Sequence, residues 1–322
     1  MALQAELRAP AASLRGISEN TGLLAALGLA VLIAAPFLLY PVFMMKVLCF
    51  GLFAAAFNLL IGYVGLLSFG HAAFFGGAAY ITAYTAKYWH LEPLLAIVLG
   101  VAFAAALGLV VGYIAIRRTG IYFSMITLAL AQMFFFFCLQ APFTGGEDGI
   151  QAVPRGYLLG VIDLSHPLAM YYTVLAVFLF GMFAIWRIVH SPFGNILKAI
   201  RENENRAISL GYRVERYKLG AFVMSTALAG LAGGTKAIVF QLATLTDVGW
   251  QASGEVILMT LLGGIGTMVG PVIGAGLVEA LQNYLASANF PVNVLIGAIF
   301  VVCVLLFRRG IVGEVLHASR RR

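Results

Sequence analysis

The run PLLAIVLGVAFAAALGLVVGYIAI, residues 93–116, carries no charged side chain, and Tyr113 is its only polar one. Crossing the hydrocarbon core of a bilayer takes roughly 20 consecutive apolar residues in an α-helix. This stretch exceeds that length without interruption, so it reads as a membrane span. Outer-membrane barrels use short alternating segments instead, which excludes that architecture. Further apolar runs lie on both sides, at 22–40, 43–61, 66–84, 121–140, 167–188, 218–240, 252–263, 272–285 and 292–307. The expected fold is an all-α polytopic membrane protein of about ten transmembrane helices. Glycine density in 66–84 and 252–285 marks some of these as broken or re-entrant.

Composition agrees. Of 322 residues, 62% are hydrophobic and 10% charged, and the mean hydropathy is +0.97. Soluble chains are roughly half apolar and a quarter charged, so an ordinary soluble enzyme and a disordered chain are both excluded. The net charge of +7 follows topology rather than nucleic-acid binding. With ten spans and the N-terminus inside, residues 1–21, 117–120, 189–217 and 308–322 face the cytoplasm. These segments and their edges hold all of the 20 Lys and Arg except Lys46, Lys87, Arg155 and Lys236. That is the positive-inside asymmetry. The chain divides into a cytoplasmic N-terminal segment (1–21), a transmembrane domain (22–307) and a cytoplasmic basic tail (308–322). The first apolar run reads as a retained span, since no cleavage site follows it. Cys49, Cys138 and Cys303 all sit inside apolar runs without metal-ligand spacing, as small hydrophobes.

Catalytic signatures are missing. The sequence has no G-x-x-x-x-G-K-[ST] to cradle phosphates, no H-E-x-x-H and no G-x-S-x-G, which removes ATP hydrolysis by that route and the commonest zinc-protease and serine-hydrolase readings. His71 alone among five histidines falls at membrane depth. There it is either a functional group or a neutral ring bonded across a helix contact. Among the acids, only Glu255 and Glu279 lie within spans. They motivate an ion-coupled secondary transporter as an alternative of a different class. Two stretches, GYVGLLSFGHAAFFGGAAY (62–80) and LLGGIGTMVGPVIGAG (261–276), echo one another as clustered glycines between helices. Such junctions either line a path, as in transporters with broken helices, or let helices pack closely.

One connection looks soluble. Residues 193–217, FGNILKAIRENENRAISLGYRVERY, read as a short amphipathic helix, a charged turn at Arg201–Arg206 and a second short helix stopped by Gly211. That pattern fits either a solvated face or a docking segment for a cytoplasmic partner.

The run GNILKAIRENENRAISLGY resembles the cytoplasmic coupling loop of permease subunits of branched-chain amino acid ABC importers, most similar to the LivM-type subunit. Four more segments agree in order: GLLSFGHAAFFGGAAY (65–80), RRTGIYFSMITLA (117–129), TGGEDGI (144–150) and SGEVILMTLLGGIGTMVGP (253–271). The likeness covers about residues 43–310. Family members often carry T-G-G-P-N-G or T-G-G-T-N-G where this chain has Glu147 and Asp148, which adds two negative charges.

The resemblance implies a subunit that moves branched-chain or related amino acids inward by alternating access. The same class also serves urea, amides and aromatic acids. The implied partners are a second, LivH-like permease, two ATP-binding subunits that hold ATP and Mg, and an extracytoplasmic substrate-binding protein. This chain itself would hold no cofactor or metal. The implied location is the bacterial plasma (inner) membrane, in contact with lipid, with both termini cytoplasmic. Arg201, Glu202, Asn203, Glu204, Arg206, Ala207 and Gly211 map onto the ATPase-coupling segment, with Glu202 or Glu204 expected to pair with a basic group on the ATPase. Residues expected along the substrate pathway are Ser68, Gly70, His71, Gly76, Gly77, Gly263, Gly264, Gly266 and Gly270. Glu147, Asp148 and Asp163 in the outer loop either contact the binding protein or stay solvated.

Overall fold

A computed structural model of the chain describes residues 28–37, 40–158, 160, 162–287, 297 and 310–312. The helices are α1 (Gly28–Phe37), α2 (Pro41–Tyr63), α3 (His71–Tyr88), α4 (Pro93–Ala115), α5 (Ile121–Gln140), α6 (Pro167–Val189), α7 (Pro192–Glu202), α8 (Glu204–Ser209), α9 (Val214–Phe240), α10 (Trp250–Gly263) and α11 (Gly270–Ser287). Proline occupies the first turn of α2, α4, α6 and α7, where its missing N–H costs nothing and its fixed φ suits the helix.

Among the described residues, five helices (α2, α4, α5, α6 and α9) are long and apolar enough to cross a membrane. The chain is therefore an all-α polytopic membrane protein. The remaining expected spans divide differently. The run 66–84 does not become helical until His71, because Gly65 takes φ +82° and ends α2. Helix α10 has 14 residues, about 21 Å at 1.5 Å per residue, short of a hydrocarbon core of roughly 30 Å. It turns back on α11 instead of crossing alone. The runs 22–40 and 292–307 are described only at Gly28–Phe37, Tyr40 and Gly297. Residues 1–21 and most of 308–322 lie outside the described residues.

Small residues set the packing. Helix α4 places Gly100, Ala104, Gly108 and Gly112 at four-residue spacing, a single ridge on a helix. A Cβ at Gly108 would strike the Thr226 side chain on α9, and one at Gly112 would meet Leu219 and Phe222. Gly233 on α9 backs onto the Phe75 carbonyl of α3. In lipid the hydrophobic effect does not bring helices together, so close backbone approach and dispersion must do so. The opposite face of α4 exposes Leu95, Val98, Leu99, Leu109 and Val110, as expected for a lipid-facing surface. Helix α2 runs through the core, with Phe53, Phe57, Leu59 and Leu60 all fully buried.

The 141–166 connection is anchored to the end of α9. Strand β1 (Ile150–Gln151) lies antiparallel to β4 (Leu242–Ala243), with Ile150 opposite Ala243. Strands β2 (Tyr157–Leu158) and β3 (Ile162–Asp163) form a second ribbon. The Arg155 guanidinium donates to the Val239 carbonyl at 2.9 Å, and Lys87 Nζ donates to the Gln151 carbonyl at 2.7 Å.

The α10–α11 hairpin closes through backbone contact. A Cβ at Gly274 would overlap the Met259 carbonyl, and one at Gly263 would overlap Gly270. Gly254, on α10 itself, has nothing within 4 Å of a built Cβ. Gly274→Ala should therefore destabilise the protein by about 1–3 kcal/mol through overpacking against unyielding backbone. Gly254→Ala should be neutral or stabilising by up to about 1 kcal/mol through helix propensity. Thermal melts of the two purified variants check the contrast.

Candidate functional site

The connection between α6 and α9 folds as the two short helices that its sequence pattern predicts. Ser191 caps α7, its Oγ accepting from Gly194 N at 3.3 Å. The α7 face toward the protein buries Leu197 and Ile200. Helix α7 breaks at one residue, Asn203, whose side-chain oxygen accepts from Arg206 N at 3.0 Å and starts α8. Gly211, at φ +87°, ends α8. Its N–H donates to Ile208 O at 2.9 Å while Tyr212 N–H donates to Ala207 O at 3.2 Å, the paired bonds of a Schellman turn. Ala207 is buried against Ile200 and Val214.

Two charged side chains of this segment turn inward. Glu204 pairs with Lys218 of α9 at 2.6 Å, and the Lys218 side chain is only 5% exposed. Glu204 is thus committed within this chain, whereas Glu202 stays exposed at the end of α7. The Arg201 guanidinium donates to the carbonyl of Gly62, in the last turn of α2. A Cβ on Gly65 would lie 3.3 Å from Arg201 Cγ, and one on Gly266 would lie 3.3 Å from its Nη1. Lys198 Nζ sits 5.8 Å from the centre of the Tyr63 ring.

Arg201 therefore touches both glycine-rich junctions, and Asn58 ties them to each other. The Asn58 amide donates to Thr267 O at 2.8 Å and accepts from Gly266 N at 2.9 Å. Asn58 was not among the expected site residues. Its signal was a lone amide inside the apolar run 43–61, which needs a buried partner.

The other pathway candidates occupy helix contacts and turns. His71 is fully buried. Its Nε2 lies 2.8 Å from Ser225 Oγ, and that hydroxyl donates to Ala56 O at 2.6 Å. The hydroxyl proton is thereby used, so the network assigns the imidazole proton to Nε2. The His71 Nδ1 has no partner among the described residues, and Phe57, Phe74 and Phe222 meet the ring edge-on. Ser68 Oγ accepts from Gly70 N at 3.3 Å. Gly70 backs onto the Thr127 carbonyl, Gly76 onto Asp247 and Val248, and Gly77 onto Phe103 and Phe134. Gly263 and Gly270 meet each other, while Gly264 and Gly266 turn the chain between α10 and α11 with φ of +115° and +78°.

At the other end of α9 lies a cavity of about 710 Å³ that none of those nine residues lines. Lys218 and Lys236 are separated by about 27 Å of helix at 1.5 Å per residue, which sets the distance from the coupling segment. The walls combine Phe50, Phe135, Phe240, Leu242 and Leu245 with Lys46, Lys236, Asp247, Glu255, Glu279 and Gln282. Lys236 pairs with Asp247 at 2.5 Å, and Asp247 also closes the turn at Thr244. Lys46 approaches Glu279 at 2.6 Å. Glu255 accepts from Gln282 Nε2 at 3.3 Å. Sequence reading had singled out Glu255 and Glu279; the two lysines and Asp247 join them only in three dimensions. Beyond the rim, Glu147 and Asp148 are exposed. Asp163 Oδ1 accepts from Ser165 N at 2.9 Å, which holds its carboxyl below the usual range.

Replacing Asn58 with Leu would remove the partner of the part-buried Gly266 N–H and Thr267 carbonyl. A hydrogen bond is worth about 0.5–1.5 kcal/mol net, so losing these two in Asn58→Leu should destabilise by about 1–3 kcal/mol. Faster protease cleavage at 262–270, read by mass spectrometry, checks the location of the damage.

Residues 41–305 match the family described as branched-chain amino acid transport system / permease component. The high-affinity branched-chain amino acid transport system permease protein LivM of Escherichia coli is 26% identical over 277 residues, covering 79% of this chain and 65% of that protein. A probable LivM permease from Methanocaldococcus jannaschii is 26% identical over 283 residues, covering 71% of this chain and 77% of that one. The ribose import permease protein RbsC of Bacillus subtilis is 29% identical over 174 residues, about half of each chain. This chain thus spans slightly less than two thirds of the length of its relative from Escherichia coli. No solved structure matches.

Proposed function

The chain belongs to the family of permease components of branched-chain amino acid transport systems, and from that premise we propose that it is the transmembrane permease subunit of an ABC importer. It moves branched-chain or related amino acids inward by alternating access, driven by partner ATPase subunits. The working assembly comprises this chain, a second related permease, two ATP-binding subunits and an extracytoplasmic binding protein, in the bacterial plasma membrane. ATP and Mg belong to the ATP-binding subunits. The α7–α8 segment faces the cytoplasm with both termini, and the 141–166 connection faces outward. There Glu147, Asp148 and Asp163 form the contact surface for the binding protein.

The observation that carries this reading is the reach of Arg201. An amphipathic helix at a membrane surface could be a passive linker. This one sends a guanidinium into the joint where α2 ends and the α10–α11 turn begins. A displacement of α7 by an ATPase is thereby conveyed to both junctions, whose glycines permit a change of backbone direction. The Glu204–Lys218 pair ties α8 to the start of α9, so the segment moves with the bundle. Of the two acids expected to meet a basic group of the ATPase, exposed Glu202 is the one that remains available. Charged groups at such a contact give orientation and specificity.

In the reconstituted importer, Arg201→Ala should lower ATP-driven uptake at least tenfold while the partner subunits continue to hydrolyse ATP. Arg201→Lys, which keeps the charge but not the forked geometry, should recover part of the uptake. Unchanged coupling in Arg201→Ala would remove the role assigned to this side chain. Glu202→Lys should weaken co-purification of the ATPase subunits; retention of the full complement would show that this acid is not the docking charge.

A further inference from the structure

We propose that the charged cavity at the end of α9 is a transit site for a zwitterionic α-amino acid with an apolar side chain. The ligand ammonium sits between Glu255 and Glu279, and its carboxylate meets Lys46. The proposal rests on the permease reading above and deepens it by assigning residues to the path.

Charge accounting comes first. The cavity wall carries two cations, Lys46 and Lys236, against three acids, Asp247, Glu255 and Glu279. Lys236 and Asp247 are held to one another, each about nine-tenths buried, and Asp247 is locked into its turn as well. That pair belongs to the frame. Among the described residues one lysine then faces two acids in the open part of the cavity, which offers a ligand ammonium acidic partners and a ligand carboxylate a basic one.

Geometry places that ammonium. Glu279 is fully buried; its Oε2 is held by Lys46 at 2.6 Å, while its Oε1 has no hydrogen-bond partner among the described residues. A buried carboxylate with unfilled acceptor sites is expensive unless donors reach it. Glu255 faces the same space with one weak contact from Gln282 at 3.3 Å. Helix α11 brings Glu279 and Gln282 to one face at i,i+3, and α10 presents Glu255 opposite. A ligand ammonium carries three donors, enough to serve both acids.

Lys46 is the more exposed partner. Its side chain is 36% exposed while that of Glu279 is 1% exposed, and its Nζ also lies 5.8 Å from the Phe50 ring. When an ammonium takes over at Glu279, Lys46 is released to a ligand carboxylate, so each charge of the ligand meets an opposite charge on the wall. Phe50, Phe135 and Phe240 supply apolar wall. A neutral sugar brings no full charge to either side of the cavity, and a simple anion brings no cation to the two acids.

The test uses the complete importer in membranes, with Cys49, Cys138 and Cys303 replaced by Ala and a single reporter, Ala252→Cys. Position 252 lines the cavity one turn from Glu255. N-ethylmaleimide labels the reporter in the presence of leucine, or of isocaproate, the same skeleton without its ammonium. Leucine should slow labelling at least threefold and isocaproate should not. Adding Glu255→Gln should abolish the protection by leucine, and Glu255→Asp should keep part of it. Equal protection by both compounds, or none by leucine in an importer that takes up leucine, overturns the assignment. Absence of leucine uptake in the unmodified importer instead counts against the cargo reading on which the proposal rests. Protection that survives Glu255→Gln removes Glu255 from the site.

Discussion

Where a helix is interrupted inside a bilayer, its freed amides and carbonyls find no solvent, and the protein must satisfy them itself. Asn58 does so here. A single side-chain amide accepts from the Gly266 N–H and donates to the Thr267 carbonyl, so the turn between α10 and α11 is bonded to α2 before any apolar packing is considered. The same turn and the end of α2 are contacted by Arg201 from α7. Removing this three-way joint would take from the α10–α11 turn the two bonds that fix it to α2 and from the end of α2 its bond to α7. The glycines supply the permission to turn, and Asn58 and Arg201 determine where the turned segments lie.

Helix α9 gives the joint its reach. At one end its Lys218 binds Glu204 of α8; at the other, its Lys236 forms part of the cavity wall. Between them, Thr226, Gly230, Gly233 and Gly234 accept the backbones of α3 and α4 at close range. An interior packed on small residues and backbone has little slack, because a change of even one methyl group produces overlap. Such a body moves as a unit more readily than it deforms. The α10–α11 hairpin is different: it is shorter than a span, joined by a glycine turn, and carries Glu255 and Glu279 on the cavity side. It is the element whose displacement would most directly change that cavity.

Much of this was legible in one dimension. The run at 93–116 announced a membrane helix, and α4 begins and ends within a residue of it. The pair of short helices at 192–209 and their glycine stop followed from amphipathic spacing and from the preference of a left-handed terminus for glycine. Other positions stayed open in the sequence for identifiable reasons. The run 66–84, whose glycines marked it as a candidate broken span, becomes helical only at His71. Glu202 and Glu204 look alike in sequence; a partner fourteen residues away on α9 separates them. The glycines expected along a path pack against carbonyls and aromatic rings, since composition shows that a close approach occurs but not what approaches.

By itself, the sequence determined that this protein is a bundle of membrane helices, which of its segments would be helical, and which charges were few enough to matter. Those properties are local, fixed by the length of apolar runs, by propensity and by the cost of burying charge. Only the tertiary structure decided that Arg201 meets Gly62 and Gly266, that Asn58 joins two helix ends, and that Lys46, Lys236, Asp247, Glu255 and Glu279 share one cavity. Residues separated by some two hundred positions come together through the packing angles of whole helices. Those angles depend on small-residue contacts on several elements at once, and no single stretch of sequence contains them.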